Sequence, residues 1–260
     1  MSKIERKIGT RVLKFISAGP GDPELITVKG MKALQEADVV LYTGSLIPKE
    51  VLSWCKEECL IANSADMSYE DIFAFIKEHH TKKFVRLHTG DASLFSTVAK
   101  QVEFLESKGI EYEVVPGVTA AFAAAASLGV EYTIPGVSQT LIISRVEGRT
   151  PNPEKLEQLL SNKNSSFAFY LSIRLIKKLR ETAYELGYAK ETPCWVVERA
   201  SWPDEKIYKG TIESIEDEVA HIKGVALILF GDFLNQKATV ESHLYAKKYK
   251  EEGERKSKAL

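Results

Sequence analysis

At 260 residues, 44% of them hydrophobic, the chain can bury one large core or two modest ones, and a net charge of -1 with no basic stripe argues against a sequence-independent nucleic-acid binder. No run is apolar over the length that a bilayer span needs, and Met1-Ser2-Lys3-Ile4-Glu5-Arg6-Lys7 is too charged for a signal peptide. Three cysteines in no pairing pattern predict a reduced, cytoplasmic protein; Cys55 and Cys59 lie one helical turn apart, but no further ligands stand near them, and no metal site is expected.

Residues 1–10 read as a polar arm. From Val12 the pattern is βαβα: strand Val12–Ile16, helix Val28–Glu36 and strand Val39–Tyr42, with Thr27 as the helix N-cap. A short helix at Lys49–Cys55 and a small strand at Leu60–Ala62 follow. Ser68–His80 is an amphipathic helix, with Ile72, Phe73, Phe75 and Ile76 facing inward. Strand Phe84–Leu87, helix Val98–Ser107 and strand Tyr112–Val115 complete the first half. The texture changes over Tyr132–Thr140. The second half reads as strand Leu141–Ser144, helix Pro153–Leu160, strand Ser166–Leu171 and helix Ile173–Gly187. Cys194–Glu198 and Lys206–Gly210 look like an antiparallel pair joined through Ser201-Trp202-Pro203-Asp204, before helix Ile212–Ile222 and strand Val225–Phe230. From Lys247 the chain is a charge run, expected to be solvated.

This predicts an α/β protein of two domains, 11–133 with a mostly parallel sheet and 134–240 with a mixed sheet, plus a charged tail at 241–260. A cleft between two such sheets is the default place for a small-molecule site.

The first half carries the chemistry. Gly19-Pro20-Gly21, Thr89-Gly90-Asp91 and Pro116-Gly117-Val118-Thr119-Ala120 each end a strand with small residues and precede a helix. In an open parallel sheet those carboxyl ends share one edge, where ligands bind. Glu24 stands where a dinucleotide fingerprint needs a small residue, no P-loop Gly-Lys-Ser/Thr is present, and Asp22 and Glu24 would repel a phosphate. The Gly-Pro-Gly turn therefore reads either as a turn that merely closes a βα unit or as the floor under a neutral or cationic ligand. Asp91 either meets a polar group of that ligand or caps the following helix.

These motifs, Gly19-Pro20-Gly21-Asp22-Pro23-Glu24-Leu25-Ile26-Thr27, Gly90-Asp91 and Val115-Pro116-Gly117-Val118-Thr119-Ala120-Ala121, resemble in order and spacing the signatures of the tetrapyrrole (corrin/porphyrin) methyltransferases, a likeness that runs from about Val12 to Phe233. Leu41-Tyr42-Thr43-Gly44-Ser45-Leu46, Thr133–Thr140 and Ser144-Arg145 followed by Gly148-Arg149-Thr150-Pro151 resemble the branch acting at C11 of precorrin-4 in cobalamin biosynthesis.

The resemblance implies S-adenosylmethionine bound in a folded shape in the interdomain cleft, a homodimer and a cytoplasmic setting. By position its cofactor contacts fall on Pro20, Thr89, Gly90, Asp91, Leu94, Thr119 and Ala120, and in the second domain on Leu171, Ala200 and Ala226. A substrate bearing many carboxylates calls for arginines, whose forked guanidinium matches a carboxylate. Arg86, Arg145, Arg149, Arg174 and Arg199 are the candidates. In the uroporphyrinogen methyltransferases an aspartate proposed as proton acceptor follows the strand-ending tyrosine; here Thr43 does, so no side-chain base is assigned. Rival readings are a sister enzyme acting at another tetrapyrrole carbon, a diphthine-synthase-like or ribosomal-RNA methyltransferase of the same fold, and an inactive porphyrinoid-binding module.

Overall fold

The structure, a computed structural model, describes residues 12–44, 46–148 and 151–235. The polar arm, the charged tail, Ser45, Arg149 and Thr150 lie outside the described residues. The described chain divides into two units, one running to Ala123 and including Ser201–Asp204, the other beginning at Ala124.

In the first unit the elements alternate: β1 (Leu13–Ser17), α1 (Val28–Glu36), β2 (Val39–Tyr42), α2 (Lys49–Leu52), β3 (Leu60–Asn63), α3 (Tyr69–His79), β4 (Phe84–His88), α4 (Val98–Ser107) and β5 (Tyr112–Val115). The sheet is parallel throughout, ordered β3-β2-β4-β1-β5. Its central strands are apolar on both sides because both sides are covered. Leu13, Phe15, Val39, Leu41 and Phe84 pack with Ile72, Ile76 and Leu105 on one face. Ile16, Val40, Val85 and Leu87 pack with Leu34 and Val51 on the other. Thr27 caps α1 by accepting from the Gly30 amide at 3.1 Å, and Ser68 with Asp71 forms a reciprocal capping box that starts α3. Helix α5 (Ala120–Leu128) follows β5.

The remaining elements are β6 (Leu141–Ser144), α6 (Leu156–Leu160), β7 (Ser166–Phe169), α7 (Ile176–Glu185), β8 (Pro193–Glu198), β9 (Lys206–Thr211), α8 (Ile215–Val219) and β10 (Ala226–Phe230). Their sheet runs β6-β7-β10-β8-β9, parallel only between β6 and β7. The fold class is the one expected, a parallel sheet followed by a mixed one. Phe167, Phe169 and Phe230 form the aromatic centre of the second unit's core, between Leu160, Leu179 and Ile215.

Four helices are shorter than the sequence pattern suggests; α2, expected to reach Cys55, ends at Leu52. Ile173–Leu175 is a 3-10 turn, because the Ser172 hydroxyl is committed to the Val146 amide and the Tyr170 carbonyl and Leu175 leaves helical dihedrals at φ -113°. Helix α6 starts only at Leu156, where Lys155 and Gln158 close its first turn. Ile212 continues the strand ladder by bonding to Thr192, and the Thr211–Ser214 turn postpones α8 to Ile215.

Candidate functional site

Parallel strands β1, β4 and β5 end side by side, and the loops leaving them are fastened together. Gly19 and Gly90 form a small antiparallel bridge, with Gly19 N donating to Gly90 O at 3.2 Å and Gly90 N to Gly19 O at 2.7 Å. Both have positive φ, +81° and +65°, a conformation that glycine adopts without strain. Ser17, buried at the end of β1, donates to Val115 O at 2.8 Å and accepts from Ala92 N at 2.9 Å. Asp91 accepts from Gly117 N at 2.7 Å through one oxygen, and from the amide and hydroxyl of Ser93 through the other. Burial raises the Asp91 pKa, but the Gly117 and Ser93 donors outweigh it and hold the carboxyl below its usual range.

The expected first-unit residues are thus gathered at one sheet edge. Pro20 and Gly90 are buried, Thr89, Asp91, Leu94 and Ala120 half-buried, and Thr119 is 7% exposed with its carbonyl taking the first turn of α5. Thr43, at the end of β2, has its hydroxyl 3.5 Å from that of Thr89. Between 18–22, 89–94 and 116–120 there is no lysine or arginine. The groups on offer are backbone carbonyls, threonine hydroxyls and carboxylates, which suit a sulfonium cation better than a phosphate.

One part of the turn is not the open floor that was expected. A Cβ on Gly21 would stand 2.3 Å from Cδ1 of Trp202, so Gly21 is small to admit an indole. Trp202 Nε1 donates to Pro20 O at 2.8 Å, and the Ser201 hydroxyl accepts from Asp22 N at 3.0 Å.

Arg86 also departs from expectation. It is 3% exposed inside the first unit, with Nε on Gln101 Oε1 and Nη1 on Leu41 O, each at 3.0 Å, which removes it from the carboxylate-binding candidates. Burial lowers its pKa to about 10, and among the described residues no acid pairs with it. His88 lies on the same strand, two residues on, its ring tilted 37° against that of Phe15 and its Nε2 buried and unbonded. Burial first, and Arg86 second, depress its pKa to about 3, so its ring is neutral.

The second unit gathers its own set. Leu171 follows β7, Ala200 follows β8, and Ala226 opens β10, which runs antiparallel to both; Ala226 is in register with Glu198, and Arg199 N donates to Val225 O at 3.0 Å. All therefore share one edge. Arg145 follows β6 at that edge, with Nη2 on Pro151 O at 2.6 Å, and Arg174 follows Leu171 with Nη2 on Lys223 O at 3.1 Å. Neither is paired with an acid among the described residues. Arg199 is half-buried there; Arg149 lies outside the described residues. Leu171 and Arg199 both sit at φ +54°, and Leu171 is 73% exposed.

Sequence reasoning missed Ser17 and the Gly21–Trp202 fit. A serine closing an apolar strand just before a glycine turn was the available signal for the first; nothing local signals the second. Among the described residues no group of three or more His, Cys, Asp or Glu could hold a metal, and Cys55 and Cys59 are free thiols.

Residues 12–216 match the family model for tetrapyrrole (corrin/porphyrin) methylases. A protein of Methanocaldococcus jannaschii named cobalt-precorrin-4 C(11)-methyltransferase is 47% identical over 93% of this chain and 95% of its own. The solved structure of a cobalamin biosynthetic enzyme, cobalt precorrin-4 methyltransferase, aligns at a TM-score of 0.85 and 40% identity, over 90% of this chain and 100% of that one. Uroporphyrin-III C-methyl transferase from Thermus thermophilus, solved with S-adenosyl homocysteine, aligns at 0.72 and 27% identity, over 86% of this chain and 99% of that one.

Proposed function

The chain belongs to the tetrapyrrole (corrin/porphyrin) methylases, and from that premise we propose that it methylates C11 of cobalt-precorrin-4, or of its cobalt-free counterpart, in cobalamin biosynthesis. It is a methyltransferase that uses S-adenosylmethionine. The observation that carries the choice of reaction is the likeness, across nearly the whole chain, to a relative named for it. We further propose that it works as a cytoplasmic homodimer; among the described residues no helix is long and apolar enough to cross a membrane.

S-adenosylmethionine, when bound, supplies a methyl group made electrophilic by the adjacent sulfonium. The first unit's edge supports a seat for it: the Thr89–Asp91 and Thr119–Ala120 backbone would hold its polar ends, and exposed carbonyls would face the positive sulfur. The family resemblance also assigns Leu171, Ala200 and Ala226 to the cofactor. Arg145, Arg149, Arg174 and Arg199 would grip the acetate and propionate carboxylates of the acceptor. Strands β6 and β8 stand three positions apart in their sheet, roughly 14 Å at the usual spacing. Arginines spread that far suit a large polycarboxylate better than a small acid. Holding donor and acceptor in line can by itself remove roughly 7–11 kcal/mol of barrier.

The test has two parts. Calorimetry should give S-adenosylhomocysteine binding that is unchanged by EDTA; binding only with a divalent ion would remove the metal-free reading. Incubation with the ordered series of precorrins should place the new methyl at C11 by NMR, and a methyl at another carbon would move the chain to a sister reaction.

A further inference from the structure

Ser17 and Asp91 act on the same pair of loops from two directions. The neighbours Asp91 and Ala92 in the second loop are each tied to the third. Asp91 reaches it directly, at Gly117 N, 2.7 Å away. Ala92 reaches it through the Ser17 hydroxyl, which accepts from Ala92 N at 2.9 Å and donates to Val115 O at 2.8 Å. Gly117 is the point of closest approach: a Cβ there would lie 2.4 Å from the Ser17 Cβ and 3.0 Å from Gly90 O. Both polar groups are used within the unit. The hydroxyl has one donor and one acceptor partner, and each carboxylate oxygen has an N–H. Neither Ser17 nor Ala92 is open to solvent, at 0% and 1% exposure. Oδ1 of Asp91 takes both Ser93 donors, while Oδ2 takes the Gly117 amide.

We propose that Ser17 and Asp91 are positioning residues: through their side chains they form a two-point lock that sets the spacing of Thr89–Ala92 against Val115–Thr119, and thereby the affinity for the methyl donor. This rests on the reading of these loops as the donor's seat. The lock explains two sequence features at once. A serine stands in an otherwise apolar strand because two loops need its hydroxyl. The third loop carries glycine after proline because a side chain there would drive the loops apart.

The experiment compares Ser17→Ala, Asp91→Asn and Ile76→Val in the full chain. Ile76 is a core residue on α3, remote from the loops, and its variant controls for lost stability. Binding is measured with S-adenosylhomocysteine, with methylthioadenosine, which lacks the amino-acid tail, and with the 2′,3′-dideoxy form of the latter, which also lacks the ribose hydroxyls. Hydrogen exchange at Ala92 and Gly117 is followed without ligand. An asparagine offers one oxygen where the carboxylate offers two, so it opens part of the lock. Both loop variants should weaken every probe by the same factor, about tenfold, with faster exchange at Ala92 and Gly117, while Ile76→Val leaves all affinities unchanged. A loss in Asp91→Asn confined to one probe would make the carboxylate a ligand and overturn the lock. So would unchanged exchange in both loop variants, or an equal loss in Ile76→Val. A wild-type protein that binds none of the probes would remove the donor reading instead; exchange at Ala92 and Gly117 would still decide the lock.

Discussion

The two sheets solve the problem of a functional edge in different ways. At the first unit's edge, the left-handed backbone at the bridge falls on Gly19 and Gly90, and what the loops offer is main chain. Side chains there, Ser17 and Asp91, are turned to the loops themselves. At the second unit's edge the same backbone region is occupied by Leu171 and Arg199, both at φ +54°. Each such residue stores strain of order 1–3 kcal/mol. Glycine would relieve that strain, but it would remove the exposed leucine and the guanidinium. The first edge therefore presents backbone and uses glycine, and the second presents side chains and tolerates the strain. Phe95 and Thr97, further along the second loop, follow the latter pattern within the first unit.

The strongest way to break this comparison is Gly117→Ala. Its Cβ would overlap Ser17, and overpacking should cost about 3 kcal/mol in a urea unfolding curve. A near-neutral result would show that the first edge is looser than its hydrogen bonds imply.

The two interiors also differ. The first unit buries Arg86 and His88, whereas the second is built around stacked phenylalanines. A histidine held neutral in the fold, with a pKa near 3 against an ordinary 6.5, contributes stability that is complete above pH 6.5 and lost as pH falls toward 3. Urea midpoints measured across that window should fall more gently in His88→Leu than in the wild type. The depressed carboxyls of Asp38, Asp71 and Asp91 lose stability in acid in both proteins alike. Parallel curves would mean that His88 protonates freely in the fold.

Leu171→Gly sharpens the contrast at the second edge. Relief of left-handed strain offsets the backbone freedom of glycine, so thermal stability should stay within about 1 kcal/mol of the wild type, while affinity for S-adenosylhomocysteine falls. A more stable protein with full affinity would show that the side chain does nothing to justify its strain.

The smallest effect is expected at Thr43, which meets Thr89 and has no charge to act as a base. Thr43→Ala should slow single-turnover transfer of labelled methyl by about tenfold or less, below the 10²–10⁴-fold typical of a lost general acid or base. A loss beyond a thousandfold, with both ligands bound, would make Thr43 a participant in the chemistry.

What could be read from the chain was local. Thr27 as a cap, the inward face of α3 and the three strand-end loops all depend on neighbours within a few positions, where residue type limits conformation directly. The parallel sheet followed from the strand–helix alternation. Arg86 misled because an arginine in a strand gives no sign of which face it occupies, and here Gln101 and Leu41 O receive it indoors. Asp91 was read as cap or ligand; its bond to Gly117, 26 residues away, has no trace in the spacing. Strain at Leu171 was equally invisible, since nothing about a leucine signals positive φ.

The indole of Trp202 has a consequence in time. It donates to the carbonyl of Pro20 across 182 positions of sequence. On a ribosome adding roughly 5–20 residues per second, the Gly-Pro-Gly turn is made roughly 10–40 s before the ring that fits against Gly21. About halfway through that interval, once Val115 is added, every strand of the parallel sheet has been made, yet the amide of Asp22 still lacks the Ser201 hydroxyl. The nascent first unit thus waits, nearly assembled, for four residues encoded far downstream. The order in which the message is read is not the order in which this half of the molecule is finished.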